Sequence, residues 1–187
     1  MKAALYLIFP ALLLSACSDL TLQRASSAST QPTWEEAASN ELIPTNYRAA
    51  SALIEQARAK GLETAHPLIV ATLVNINALE ESSGFGRMTA EQVSGQFSRQ
   101  GYSMIEMKFR DSVYVKQNVG ELLLTREIKQ IAQNHNAQAV IVGTYAESDR
   151  FVFVNLKVIR PTDNIVIASH DYAVPVNKMV RSLLGRR

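Results

Sequence analysis

The 187-residue chain contains only one cysteine, Cys17. An intramolecular disulfide is therefore impossible, and the folded part must be held by its hydrophobic core even in an oxidising compartment. An excess of charge is missing as well, because 19 Lys and Arg residues nearly balance 17 Asp and Glu residues. This balance provides no electrostatic reason to bind nucleic acid, so we predict no nucleic-acid partner.

Residue combinations that carry catalysis or bind metals are also missing. None of the three histidines has a Cys, a His or an acid at metal-ligand spacing: His66, His135 and His170. Asp171 follows His170, but adjacent residues of a strand point to opposite faces. The adjacent acids Glu35–Glu36 and Glu80–Glu81 cannot converge on one bond as paired catalytic carboxylates do. We therefore predict no catalytic residue, no metal and no cofactor, and a protein that is not an enzyme.

The first 16 residues have the pattern of an export signal. Lys2 supplies a positive start, and Ala3–Leu14 is apolar apart from the interruption at Pro10. As a helix this run is about 18 Å long, whereas the hydrocarbon core of a bilayer is about 30 Å thick. The segment is therefore too short for an uncleaved membrane helix, and we exclude it from the folded domain.

The string Leu14-Ser15-Ala16-Cys17 resembles the lipobox of bacterial lipoproteins. The resemblance implies cleavage before Cys17, a diacylglycerol on its sulfur and a further acyl chain such as palmitate on the new amino group. The alternative is an ordinary secretory signal with a chance cysteine. In enteric-type sorting, Asp directly after the lipidated cysteine retains a lipoprotein in the inner membrane. Here that position is Ser18, which by analogy favours the outer membrane. The expected partner is the lipid bilayer, with the domain on its periplasmic face.

Residues 17–45 are interpreted as the lipidated cysteine and a flexible tether. The stretch is rich in Ser, Thr, Ala and Gln and has no sustained hydrophobic period. A flexible coil of this length has a root-mean-square reach of about 30 Å. Trp34 docks on the domain, docks on a partner or has no contact. At the other end of the chain, the basic tail 185–187, with Arg181, either touches anionic polymer or is solvated, and solvation is favoured.

Residues 46–184 alternate helical and strand patterns. Thr45 is predicted to cap the first helix and Gly61 to end it. The second helix is predicted to end at Gly101 and to bury Phe85, Met88, Val93 and Phe97. The fourth strand is predicted to place four apolar residues on one side: Val152, Val154, Leu156 and Val158. The helices are predicted at 46–60, 82–99, 125–135 and 176–184, and the strands at 67–74, 103–108, 139–145, 151–159 and 165–174. Helical crossovers imply a parallel part, and the last three strands form an antiparallel meander. The predicted class is α/β, with a mixed sheet of about five strands and helices packed on it.

The stretch Ser82–Arg87 is the best candidate for a ligand site. It contains Gly84 and Gly86 and precedes a predicted helix, whose free backbone amides are able to hold a phosphate or carboxylate with help from Arg87. A third glycine is missing. A capped helix start in a loop is therefore favoured over an anion site.

Several strings together resemble the FlgO-type flagellar outer-membrane lipoproteins. They are His66–Thr72, Gly84–Arg87, Gln100–Tyr102, Leu123–Glu127, Ala137–Tyr145 and Asp171–Pro175. The resemblance covers about 110 residues, most of the predicted domain. It implies a non-enzymatic role at the outer-membrane end of the flagellum, in support of assembly and motility.

Two functions follow from these observations. The first is a structural lipoprotein that forms homo-oligomers and joins basal-body proteins in an outer-membrane-associated ring around the flagellar base. The alternative is a periplasmic binding or regulatory lipoprotein that acts on a cell-wall enzyme or peptidoglycan. Only Cys17 has a predicted chemical role, as the lipidation site.

Overall fold

The computed structural model of the protein describes residues 33–79, 81–105 and 126–185. The chain forms two compact units, Met1–Ala38 and Ser39–Arg187, and each is described by itself. Several predictions lie outside the described residues. They concern the signal with Cys17, Ser18, Glu80, the second predicted strand beyond Ile105, the capping role of Thr125 and the tail residues Arg186 and Arg187.

In the first unit, a short helix α1 spans Trp34–Ala38, within the stretch predicted as tether. Thr33 and Glu36 cap it reciprocally. The amide of Glu36 donates to Thr33 Oγ1 at 3.2 Å, and the amide of Thr33 donates to Glu36 Oε2 at 3.0 Å. This is a capping box, in which two otherwise unpaired amides at a helix start gain acceptors.

The second unit combines a mixed sheet with four helices among the described residues. Its elements are α2 Leu42–Arg58, β1 Leu68–Val70, β2 Val74–Asn75, α3 Gly84–Arg99, β3 Met104–Ile105, α4 Arg126–Asn134, β4 Ala139–Glu147, β5 Phe151–Arg160, β6 Ile165–Pro175 and α5 Lys178–Leu183. Five of the six described strands follow the order β3-β1-β4-β5-β6, and the sixth, β2, pairs with β4. Strands β3, β1, β2 and β4 pair in parallel, and β4, β5 and β6 pair antiparallel. The predicted α/β class and mixed sheet are confirmed.

The first predicted strand is broken into two. Val70 is in register with Ile141, and Val74 is in register with Thr144. Three residues of one strand, 71–73, therefore face two residues of β4, which is the residue count of a bulge. The apolar run 67–74 predicted one continuous strand, because hydrophobicity alone contains no signal for the extra residue.

Helix α2 begins earlier than predicted. Its first amide, of Leu42, donates to Asn40 Oδ1 at 2.8 Å, so Thr45 lies inside the helix and is not its cap. Pro44 fits the first turn because the amides there have no acceptor within the helix. At the other end, Gly61 has φ +89°, and the Leu62 amide donates to the Ala57 carbonyl. Gly61 thus ends the helix in a Schellman arrangement, as predicted.

Two apolar clusters cover the two faces of the sheet. Helices α2, α3 and α5 pack on one face, where the side chains of β5 predicted to point inward are all buried: Val152, Val154, Leu156 and Val158. Helix α4 packs on the other face through Ile131 and Ala132, against Ile69, Val140 and Val142. The same cluster includes Ile159 near the end of β5. Toward the start of that strand, the side chain of Phe153 on this face is exposed.

Met88 was predicted to be buried, and this is wrong. It is 43% exposed, whereas its neighbour Thr89 is fully buried. The helix has turned a polar residue inward because Asn46 Nδ2 lies 3.5 Å from the Thr89 hydroxyl and gives it a partner. A polar side chain can occupy a core position when its hydrogen bonds are made there.

Candidate functional site

The loop that was the candidate anion site forms the start of α3. Ser83 is the N-cap, and its Oγ accepts from the Gly86 amide at 3.3 Å. The Ser83 amide donates to the Tyr145 hydroxyl at 3.1 Å, and Arg87 Nη1 donates to the Ser82 carbonyl at 3.1 Å. The Gly86 amide and the Arg87 guanidinium, two of the groups proposed to hold an anion, are thus engaged within the fold. The geometry favours the capped helix start.

The glycines of this loop allow close packing. A Cβ on Gly86 would meet the Leu73 carbonyl oxygen at 2.3 Å, and a Cβ on Gly84 would meet the Leu183 carbonyl oxygen at 2.9 Å. Gly86 is therefore needed because the bulged segment between β1 and β2 crosses the helix start at backbone distance. The Ser82 hydroxyl also donates to the Leu73 carbonyl, at 2.7 Å.

Two further strings of the family resemblance connect elements within the domain. Gln138 binds the loop before β1: its side chain donates to the carbonyls of Glu63 and His66 and accepts from the Glu63 amide. Tyr102 is buried next to Phe97, and its hydroxyl accepts from Arg58 Nε at 3.0 Å. Gln138 and Tyr102, both from the strings of the family resemblance, therefore have structural roles within the domain.

A buried polar cluster connects α2, α3 and β6. Tyr172 donates its hydroxyl hydrogen to Asn46 Oδ1, and Asn46 Nδ2 donates to Gln92 Oε1 at 2.6 Å and lies near Thr89. Burial raises the pKa of the Tyr172 hydroxyl well above its usual range. This cluster was not predicted from the sequence. The available signal was Asn46 itself, a polar residue on the same helical face as Ala49, Ala50 and Leu53.

His66 and His170 lie beside different parts of the chain. His66 Nδ1 lies 3.4 Å from Nδ2 of Asn136, which follows His135, and the centroid of the His170 ring lies 6.1 Å from that of the Tyr172 ring. Leu156 is opposite His170, and Asn155 is opposite Asp171, so this pair does point to opposite faces. Within residues 33–79, 81–105 and 126–185, no cluster of three His, Cys, Asp or Glu side chains is able to hold a metal ion.

Phe153 of β5 and Ile76, directly after β2, are among the exposed apolar side chains of the second unit. Phe153 is 53% exposed and Ile76 is 52% exposed. They line a shallow groove of about 410 Å³, together with small and polar residues of β4, β5 and β6: Thr144, Ala146, Val154, Asn155, Asp171, Tyr172 and Ala173. No helix in the described part of the chain has the length and hydrophobicity to cross a bilayer.

The fold is shared with solved α/β domains of lipoproteins whose sequences are very different. The LpoB C-terminal domain from Escherichia coli superposes with a TM-score of 0.53 at 14% identity, over 72% of this chain and 98% of that one. The LpoB C-terminal domain from Salmonella enterica gives 0.50 at 15% identity, over 67% and 94%. At these identities the likeness establishes the fold alone. No curated protein matches the chain significantly.

The family is established by the sequence of the domain. The model of the FlgO protein family matches residues 47–179, which is most of the chain. This range contains the strands β1 to β6 and the helices between them. The protein belongs to the FlgO family. This confirms the resemblance that the strings from His66 to Pro175 indicated.

Proposed function

We propose that this protein is a non-enzymatic lipoprotein of the outer membrane that supports flagellar assembly and motility. The observation that carries the proposal is the family match over residues 47–179. The described residues of the family strings are used in capping, packing and hydrogen bonds within the domain. This supports a binding or structural role over catalysis.

The proposed mechanism depends on position. Acyl chains on Cys17 restrict the domain to a thin layer on the periplasmic face, and two or more chains anchor a protein durably. Confinement raises the effective concentration of each copy for its neighbours and for the flagellar base. Homo-oligomers with closed symmetry then form a ring that contacts basal-body proteins.

The test is deletion of the gene, with complementation. We expect the deletion strain to lose swimming and normal flagella, and the wild-type gene to restore both. The variant Cys17→Ser should fail to restore swimming because it removes the acylated sulfur, whereas Ser27→Ala in the tether should restore it. Normal motility and normal flagella in the deletion strain would refute the flagellar role.

Cross-linking and co-purification of the full-length protein from detergent extracts distinguish the alternative function. Recovery of flagellar basal-body proteins supports the proposal. Recovery of wall synthases or peptidoglycan in their place would assign the protein to regulation of the cell wall.

A further inference from the structure

Among the strands of the described structure, β6 lies at one end of the strand order, and no described strand pairs with its outer edge. The Val176 amide donates to the Arg150 carbonyl at 2.9 Å, which is on the β5 side. Backbone groups alternate between the two sides along a strand. Tyr172 and Val174 therefore face β5, whereas the amides and carbonyls of Asp171 and Ala173 face away from the sheet.

The half of this edge formed by residues 165–169 is protected. The Ser169 amide, which faces away from β5, donates to Gln56 Oε1 at 3.3 Å, and a register shift at Val158/Ile159 interrupts the pairing below it. In the other half, residues 170–175, no hydrogen bond connects the amide of Asp171 or Ala173 to another residue of the described structure. Proteins usually block such edges. Here, within the described part of the chain, only the half of β6 before residue 170 is blocked.

The groove lies directly beside the unprotected half. Asp171 and Ala173 belong to its lining, and the register places Phe153 opposite Ala173 and Asn155 opposite Asp171. The small side chain of Ala173 leaves the exposed Phe153 ring accessible from the edge. The Asp171 carboxylate accepts from Asn155 Nδ2 at 2.7 Å and has no cationic partner among the described residues.

We propose that the segment Asp171–Pro175 binds an extended segment of a partner protein, which adds a strand to the sheet. Amide and carbonyl groups of Asp171 and Ala173 would hold its backbone. Because side chains of a strand alternate, the partner would place an apolar side chain over Ala173 against Phe153 and a Lys or Arg opposite Asp171. The surface goes beyond the flagellar proposal, since it depends only on this edge.

The probe is a blocked synthetic peptide of seven residues, Thr-Leu-Thr-Leu-Thr-Arg-Thr, titrated into full-length mature protein in detergent. Fluorescence anisotropy measures the dissociation constant, and amide hydrogen exchange measures the protection of Asp171 and Ala173. We expect saturable binding that protects both amides. A peptide with backbone N-methyl groups on its Leu residues should not bind, and a peptide with Glu for Arg should bind more weakly.

Two variants and a control test the geometry. Ala173→Pro removes an outward amide at an edge position where proline is tolerated, and it should weaken peptide binding about tenfold or more. Asp171→Asn should retain binding and lose the preference for the Arg peptide over the Glu peptide. Asp149→Asn, an exposed acid in the β4–β5 turn, should change neither value.

Absence of binding at the highest soluble peptide concentration would overturn the proposal, as would equal affinity in Ala173→Pro. Circular dichroism identifies a variant that fails to fold, and Asp171→Asn then decides the question because it changes only the charge. If the protein alone dimerises and Ala173→Pro makes it monomeric without any effect of the peptide, the occupant is a second copy and the partner proposal is wrong.

Discussion

At the residue scale, the Tyr172 hydroxyl connects β6 to α2 by a hydrogen bond to Asn46. This hydroxyl satisfies the side chain of the fully buried Asn46, which itself reaches α3 through Gln92. A buried amide oxygen that loses its donor cannot recover a hydrogen bond from water. The contact between β6 and α2 therefore depends on more than the apolar area between them.

The first prediction is that Tyr172→Phe destabilises the domain by about 1–3 kcal/mol, because Asn46 Oδ1 is left buried without its donor. Tyr47→Phe is the matched control. Tyr47 is only half-buried, and its ring contacts Arg99, a contact that phenylalanine keeps. We expect it to change stability by less than about 0.5 kcal/mol. Urea unfolding measures both, and equal effects would contradict the role of the hydroxyl.

The same variant predicts a pH dependence. Because burial raises the pKa of Tyr172 in the folded state, the unfolded state loses this proton first as the pH rises above about 10. The unfolded state then binds fewer protons, so the free energy of unfolding decreases with pH in that range. Wild-type protein should lose more stability between pH 9 and pH 11 than Tyr172→Phe, by urea midpoints. Parallel losses would show that Tyr172 does not titrate differently in the folded state.

At the element scale, helix α3 depends on the absence of a side chain at one glycine and not at another. Gly86 meets the Leu73 carbonyl, whereas a Cβ on Gly95 would have no atom within 4 Å. Both glycines are helical, so an alanine has the same intrinsic preference at each. The difference between the two substitutions therefore measures the packing of the bulged segment on the helix start.

The second prediction compares these substitutions. Gly86→Ala should destabilise the domain by about 1–3 kcal/mol, because the backbone of Leu73 must move. Gly95→Ala should stabilise it by about 0.5–1 kcal/mol, because alanine loses less entropy in a helix. Thermal and urea unfolding of the two variants provide the measurement. A neutral Gly86→Ala would mean that the segment after β1 does not lie at backbone distance from the helix.

The elements that follow the periodicity of their own residues were predicted well. Strand β5 alternates strictly, and its buried side chains are the ones predicted. Gly61 and Gly101 both have positive φ and end their helices as predicted. The start of α2, by contrast, was missed by four residues, because Pro44 was interpreted as part of the tether when it lies in a first helical turn. That position is compatible with both interpretations until the rest of the helix is placed.

At the scale of the whole molecule, the proposed anchor determines where the domain acts. In the sorting analogy, Asp directly after the acylated cysteine retains a lipoprotein in the inner membrane, and Ser18 does not. One substitution at position 18 is therefore expected to change the membrane location.

The third prediction is that Ser18→Asp moves the protein from the outer-membrane to the inner-membrane fraction and reduces swimming, with unchanged stability of the domain. Ser27→Asp introduces the same charge further along the tether and should leave the protein in the outer membrane. Sucrose-gradient fractionation with immunodetection measures the location. An unchanged location of Ser18→Asp would contradict the sorting rule for this protein.

The sequence by itself determined the class of fold, the family and the helix ends at glycine, because each depends on residues close together in the chain. Hydrophobic period and turn residues act locally. The tertiary structure alone decided that the first strand is broken, that Thr89 and not Met88 faces the core, and that the Phe153 side chain of β5 is exposed. The first two depend on contacts between distant segments, Leu73 with Gly86 and Asn46 with Thr89. The third depends on the packing of α2 on the opposite face of β5, which leaves Phe153 outside that core.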